Sequence, residues 1–266
     1  MAGCSPPAGT CSFNRMTHMS LEELVLRIRR QDRRALARML SLVEAGEAPA
    51  APSGRQGRGI AVGLAGPVGA GKSTLAAALV RHLRGLGQKV AVLASDPSSP
   101  KSGGALLGDR VRMTFDPRDE GVYFRSLATR GAPGGLSAAA RPARDWLLEY
   151  GFDVVLVETV GVGQDQLAIR DVVDVLVLLV TPHSGDEIQW EKAGLVELAD
   201  LVVVNKADLP GADRVYQQVC GALSLGARQP TVLSVSGLKD QGIADVWAAI
   251  VHRYGALRAG SGGSGG

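Results

Sequence analysis

Gly66-Pro67-Val68-Gly69-Ala70-Gly71-Lys72-Ser73 follows the apolar run Ile60-Ala61-Val62-Gly63-Leu64-Ala65 and opens onto Thr74-Leu75-Ala76-Ala77-Ala78-Leu79-Val80. The stretch reads GxxxxGK[ST] and lies between a strand pattern and a helix pattern, the setting the motif requires. Glycines let successive backbone N–H groups close around phosphate oxygens with no Cβ in the way. A helix beginning near Lys72 aims the positive end of its dipole at the same anion. Gly66, Val68, Gly69, Ala70, Gly71, Lys72, Ser73 and Thr74 are therefore expected to line the phosphates of a nucleoside triphosphate. Lys72 is placed to reach the β- and γ-phosphates, and the Ser73 hydroxyl to ligand Mg²⁺.

Strand and helix patterns alternate outward from this motif. Strands are predicted at Ile60–Ala65, Val90–Ser95, Val122–Arg125, Val154–Glu158, Val173–Val180, Leu201–Asn205 and Thr231–Ser234. Helical spacing falls between most of them, at 73–86, 136–150, 186–198, 212–225 and 241–255. Continuous apolar strands with intervening helices predict an α/β fold, a mostly parallel sheet covered on both faces. Ligand groups then belong at the carboxyl ends of the strands. Ahead of this domain, apolar residues recur at helical spacing from Leu21 to Glu44 with a break near Gln31-Asp32. The expected organisation is a disordered start at 1–17, a helical extension and linker at 18–55, a nucleotide-binding domain at 56–258 and a flexible Gly/Ser tail at 259–266.

The 266 residues are 45% hydrophobic but only 4% aromatic, so the core must be built from Ala, Val, Leu and Ile. That bias suits buried parallel strands. A net charge of +3 is too mild to imply nucleic acid, and the dense basic run Arg27 to Arg34 reads as a solvated helix face. Cys4, Cys11 and Cys220 have no metal-ligand or disulfide spacing. No apolar run is long enough to span a bilayer, so a cytoplasmic protein is expected.

Asn205-Lys206-Ala207-Asp208 follows the strand Leu201-Val202-Val203-Val204 and has the NKxD pattern of guanine readers. The Asp208 carboxylate can accept from guanine N1–H and its exocyclic amine, a donor pair that adenine lacks. Ser236, Gly237 and Leu238, after the next strand, fit the loop that closes over the base. Glu158-Thr159-Val160-Gly161 ends another strand where a GTPase normally carries DxxG. The acid serves Mg²⁺ and the Gly161 N–H the γ-phosphate. Val162 stands where a water-orienting Gln is frequent, so intrinsic hydrolysis is predicted to be slow and completed by a partner. Asp96, after Val90–Ser95, and Asp109, in Gly108-Asp109-Arg110, are further candidates for Mg²⁺ or water.

Together these residues resemble the MeaB/ArgK-like GTPases, relatives of the methylmalonic aciduria type A protein. The resemblance covers most of residues 20–255 and rests on GPVGAGKST (66–74), VAVLASDPSSPKSGGALLGDRVRM (90–113), RSLATRGAPGGL (125–136), FDVVLVETVGVGQ (152–164) and GDEIQWEKAGLVELADLVVVNKAD (185–208). It implies a Mg²⁺-dependent GTPase that chaperones an adenosylcobalamin-dependent acyl-CoA mutase, gating cofactor loading while the partner handles the cobalamin. In the family, positions matching Lys72, Ser73, Asp96, Asp109 and Glu158 serve phosphate, metal and hydrolysis, and His183 to Lys192 matches a switch loop. Asp165-Gln166 and Trp190-Glu191 depart from the usual pattern and leave open which mutase is the client. Homodimerisation is also open, because family members often continue into a C-terminal dimerising arm. Two other readings of this fold are a nickel-insertion GTPase and a nucleotide-dependent scaffold with negligible turnover. The missing Cys/His cluster argues against the first, and the retained Lys72, Asp96, Asp109 and Glu158 against the second.

Overall fold

The computed structural model describes residues 20–52, 59–96, 118–128, 138–159, 164–182, 195–224 and 229–261. Its strands are β1 (Ile60–Ala65), β2 (Val90–Asp96), β3 (Val122–Ala128), β4 (Val154–Glu158), β5 (Val175–Val180), β6 (Leu201–Val204) and β7 (Thr231–Ser234). They form one sheet in the order β3-β2-β4-β1-β5-β6-β7, and every pairing is parallel. The chain leaves β1 toward one edge, returns to insert β4 beside it, then proceeds to the other edge. The reversal opens a crevice at the carboxyl ends of β1 and its neighbours, where ligands of such sheets bind.

The helices are α1 (Leu21–Arg29), α2 (Arg33–Ala45), α3 (Lys72–Gly85), α4 (Ala140–Tyr150), α5 (Leu195–Leu198), α6 (Ala212–Ser224) and α7 (Ile243–Ser261), with a 3-10 helix at Gln164–Asp171. One face of the sheet packs Val62, Leu64, Val92, Val177 and Val203 against Leu75, Leu79 and Leu83 of α3 and Val246, Trp247 and Ile250 of α7. The other packs Ala61, Val155, Val157, Leu176 and Leu178 beneath α1, α2, α4 and the 3-10 helix. Gly63 explains how that 3-10 helix lies against the central strand. A Cβ there would stand 2.8 Å from Ile169 Cδ1 and 2.9 Å from Val173 Cγ2.

The break expected near Gln31-Asp32 separates α1 from α2. Gln31 adopts φ 62°, and the Asp32 side chain caps α2 by accepting from the N–H groups of Arg34 and Ala35. Gly46 closes α2 in the left-handed conformation. Leu24, Ile28, Leu36, Met39 and Leu40 are fully buried, so the extension belongs to the core. Polar ties fix it there: Trp146 Nε1 donates to Pro49 O at 3.1 Å, Tyr150 Oη to Gln31 O at 2.7 Å and Arg33 to Val122 O at 2.7 Å.

Several boundaries differ from expectation, and β3 runs on from Arg125 to Ala128. β5 begins at Val175, because Val172 and Val173 follow the 3-10 helix and pack under it; a buried apolar run does not distinguish strand from turn. α4 begins at Ala140, and α7 continues to Ser261, so Ala259, Gly260 and Ser261 are helical. Of the helix expected at 186–198, only Leu195–Leu198 lies within the described residues as helix. Among the described residues no helix is long and apolar enough to cross a membrane.

Candidate nucleotide-binding site

The loop after β1 turns on three glycines at positive φ: Gly66 at 142°, Gly69 at 78° and Gly71 at 86°. At two of them a side chain has no room. A Cβ on Gly66 would lie 2.5 Å from Leu179 O, and one on Gly71 2.4 Å from Asn205 Nδ2. Helix α3 then starts at Lys72 with no side-chain cap and no acid in its first turn. Its leading N–H groups and dipole are thereby left for an external anion.

Lys72 is buried, and its Nζ donates to Gly66 O at 2.9 Å and Pro67 O at 3.0 Å. Burial pushes its ammonium below the usual lysine value, and the nearby Glu158 carboxylate opposes that shift. The Ser73 hydroxyl donates to Glu158 Oε1 at 2.5 Å. Glu158 ends β4, opposite Leu64 of β1 and Ala94 of β2. Asp96 closes β2 two residues beyond Ala94, which puts its backbone at the same end of the sheet. A hydroxyl and a carboxylate meeting beside a phosphate loop are hard oxygen donors suited to Mg²⁺ completed by water and phosphate. Asp109, Gly161 and Val162, and the 183–192 loop, lie outside the described residues. Gln164 is the first residue of the 3-10 helix.

The NKxD segment sits directly against this loop. Asn205 is buried; its Nδ2 donates to Ala70 O at 2.9 Å and Gly71 O at 3.5 Å, and its Oδ1 accepts from Gly237 N at 3.1 Å. Lys206 takes the left-handed conformation at φ 61°, turning the chain toward Asp208. Ser236 Oγ donates to Asp208 Oδ1 at 2.6 Å, and Lys239 Nζ stands 3.6 Å from Oδ2. The Ser236 hydroxyl, with Lys239 behind it, holds the Asp208 carboxyl below the usual carboxylate range. Gly237 rests on the first turn of α3, where a Cβ would lie 3.3 Å from Leu75 Cα. Val68 and Leu238 are 72% and 77% exposed.

The structure thus brings together the loop at 66–74, Glu158, Asn205, Asp208, Ser236 and Gly237. Sequence reasoning missed Asn205 as the link between the phosphate loop and the base loop, and Lys239 beside Asp208. The asparagine of the motif was a usable signal for the first. A lysine three residues after Ser236 signals nothing by itself.

The family model described as "Methylmalonyl Co-A mutase-associated GTPase MeaB" matches residues 36–263. The chain belongs to the MeaB family. It is a GTPase of the P-loop class, and its family uses guanine nucleotide with Mg²⁺. GTPase ArgK of Escherichia coli is 37% identical over 257 residues, covering 90% of this chain and 78% of that protein. The methylmalonic aciduria type A homolog of Mus musculus, a mitochondrial protein, is 42% identical over 194 residues, 70% of this chain and 47% of the mouse protein. Among solved structures, the LAO/AO transport system kinase superposes with a TM-score of 0.67 at 30% identity, covering 90% of this chain and 76% of that one. HypB from Helicobacter pylori, solved with nickel, gives 0.56 at 16% identity over 82% of this chain and 94% of its own, a likeness of fold alone.

Proposed function

We propose that this MeaB-family GTPase is a Mg²⁺-dependent chaperone of an adenosylcobalamin-dependent acyl-CoA mutase, gating cofactor loading and protecting or reactivating the enzyme through its hydrolysis cycle. The observation that carries the reading is the contact between Ser73 and Glu158 at the mouth of the phosphate loop, tied through Asn205 to the Asp208–Ser236 pair. Metal, phosphate and base elements form one continuous set in a chain whose family is named for association with methylmalonyl-CoA mutase.

In this reading the N–H groups of Gly66, Val68, Gly69, Ala70, Gly71, Lys72, Ser73 and Thr74 hold the phosphates, and Lys72 leaves its carbonyl partners for the β- and γ-oxygens. Ser73 and Glu158, with Asp96 and Asp109, serve Mg²⁺ and the attacking water, while Gly161 N–H contacts the γ-phosphate. When bound, Mg²⁺ supplies charge neutralisation on the transferred group. Asp208 accepts from guanine N1–H and the exocyclic amine; Asn205, Lys206, Ser236, Gly237 and Leu238 shape the base pocket. Glu in place of Asp at 158 and Val at 162 leave the unaided site slow. The mutase binds the cobalamin; this chain times its entry. No observation here favours nickel delivery, since the HypB likeness carries fold only.

The test is GTP hydrolysis with and without a purified adenosylcobalamin-dependent acyl-CoA mutase from the same source. Strong stimulation supports the chaperone reading. A complete lack of binding and stimulation with every such mutase there refutes the client while leaving the GTPase intact.

A further inference from the structure

Beyond β7 the chain makes a closed turn from Ser236 to Gln241. Its two ends bond each other twice, Ser236 N donating to Gln241 O at 3.1 Å and Gln241 N to Ser236 O at 3.0 Å. Inside it, Lys239 N donates back to Ser236 O at 3.2 Å. Asp240 and Gly242 take positive φ, 55° and 73°, and a Cβ on Gly242 would stand 3.0 Å from Val235 Cγ1. On the outer side the Asp240 carboxylate pairs with Arg81 of α3. The backbone of Lys239 is thus set by the turn around it, and its side chain leaves from a fixed point.

From that point Lys239 reaches Asp208 by two routes. Its Nζ stands 3.6 Å from Asp208 Oδ2, an ion-pair distance rather than a hydrogen bond. Its backbone N–H donates to Ser236 Oγ at 3.3 Å, and that hydroxyl donates to Asp208 Oδ1 at 2.6 Å. Ser236 is fully buried and the Asp208 side chain is 12% exposed, so the carboxylate sits in a confined place with one hold on each oxygen. An ionised carboxylate offers about four lone-pair sites, so two holds leave room for two further donors. With the hydroxyl as its sole hold, the group is free to turn about Cβ–Cγ, a torsion with a broad profile. The Lys239 ammonium is half-exposed, and a pair of this kind adds little to stability. Its effect falls on the orientation of Asp208.

We propose that Lys239 is a positioning residue for guanine selectivity: its ammonium, together with the Ser236 hydroxyl, fixes the plane of the Asp208 carboxylate so that N1–H and the exocyclic amine are met at once. Resting on the reading of Asp208 as the guanine acceptor, this gives the turn after Ser236 a share in telling bases apart. Hypoxanthine keeps N1–H and lacks the amine, and its single contact tolerates a tilted carboxylate. The paired contact of guanine does not, and a donor left unmet in the closed site is where discrimination arises. Removing Lys239 therefore narrows the preference for guanine over hypoxanthine rather than weakening every nucleotide alike.

The experiment measures GDP and inosine diphosphate affinities by calorimetry, and GTP turnover, on the wild type, Lys239→Met and Lys239→Arg. Lys239→Met removes the charge from a side chain of similar reach. The expected result is GDP binding weakened about two- to fivefold, inosine diphosphate binding weakened by less, KM for GTP raised with kcat retained, and a melting temperature equal to wild type. Lys239→Arg should restore most of the GDP preference. In an Asp208→Asn background, adding Lys239→Met should leave the ratio of the two affinities where it was, because the residue acts through Asp208. Unchanged GDP affinity in Lys239→Met overturns the role. An equal loss for both nucleotides also overturns it, leaving Lys239 a structural part of the turn. A wild type that binds GDP and inosine diphosphate alike overturns the reading of Asp208 itself, whereas a full GDP preference kept by Lys239→Met overturns Lys239 alone.

Discussion

Replacing Asn205 by Ala removes one buried side chain that serves two loops. Its Nδ2 satisfies Ala70 O at 2.9 Å and its Oδ1 satisfies Gly237 N at 3.1 Å; the 3.5 Å contact to Gly71 O is too long to weigh heavily. Each buried group left without a partner costs about 1–3 kcal/mol, so two of them lower stability by about 2–6 kcal/mol. For a domain of this size that is roughly 2–4 °C per kcal/mol, and a fall of about 6–12 °C is expected for a loss near 3 kcal/mol. The same side chain sets the fate of Gly71→Ala, whose new Cβ would stand 2.4 Å from Asn205 Nδ2 at φ 86°. Alone, that substitution meets both the collision and about 1–2 kcal/mol of left-handed strain. In the Asn205→Ala background the collision is gone and the strain alone remains. Thermal and urea unfolding of the wild type, both single variants and the double variant measure the coupling. The double variant should be more stable than the two single losses predict. Strict additivity, or a loss below about 1 kcal/mol for Asn205→Ala, would refute the bridge between the base and phosphate loops.

Asp208→Asn should weaken GTP and GDP binding and shift preference toward xanthine nucleotides; unchanged guanine selectivity in a competition assay would remove Asp208 from base recognition. Lys72→Met should abolish GTP turnover. Because burial lowers the Lys72 pKa, the unfolded chain holds its proton to higher pH than the folded one, and wild-type stability gains from this group as pH rises toward 10.5. Unfolding curves on either side of that window should show the gain in wild type and not in Lys72→Met. Asp200, whose side chain is 1% exposed, binds Arg253 Nε at 3.0 Å and also pairs with Arg170. Asp200→Asn removes the carboxylate charge from both pairs. Because Arg170 and Arg253 are 28% and 35% exposed and Arg170 also donates to Asp174 O, a loss of about 1–3 kcal/mol in urea unfolding is expected; a change within experimental error would show that neither pair matters.

The sheet was legible because β1, β4, β5 and β6 are largely apolar runs, and the phosphate loop because its spaced glycines, lysine and serine form a motif, two of whose glycines occupy positions where a Cβ collides. Glu158 was legible from its own motif at the end of β4; that it lies opposite Leu64 came only from the pairing of β1 with β4. The start of β5 was not legible, since Val172 and Val173 are as apolar as the strand they precede. Gly63 gave no warning that a 3-10 helix rests on it. Asn205 was readable as a base-loop residue but not as a tie to Ala70 and Gly237, because that role depends on β6 lying beside β5 and near the loop after β1. Asp200 has no motif at all. Its importance comes from Arg170 and Arg253, which reach it from opposite sides along the chain, and only the folded arrangement brings three such distant residues together.

The burial of α1 and α2 also sets an order of events at the ribosome. Leu36, Met39 and Leu40 find their partners on α4, which ends at Tyr150. Translation at about 5–20 residues per second separates Ala45 from Tyr150 by roughly 5–20 s. Throughout that interval the nascent helices have only each other to cover their apolar faces. The extension is therefore made well before the helix that secures it. Substitutions in α4 that slow its docking should lower the yield of soluble protein before they change the stability of the finished molecule.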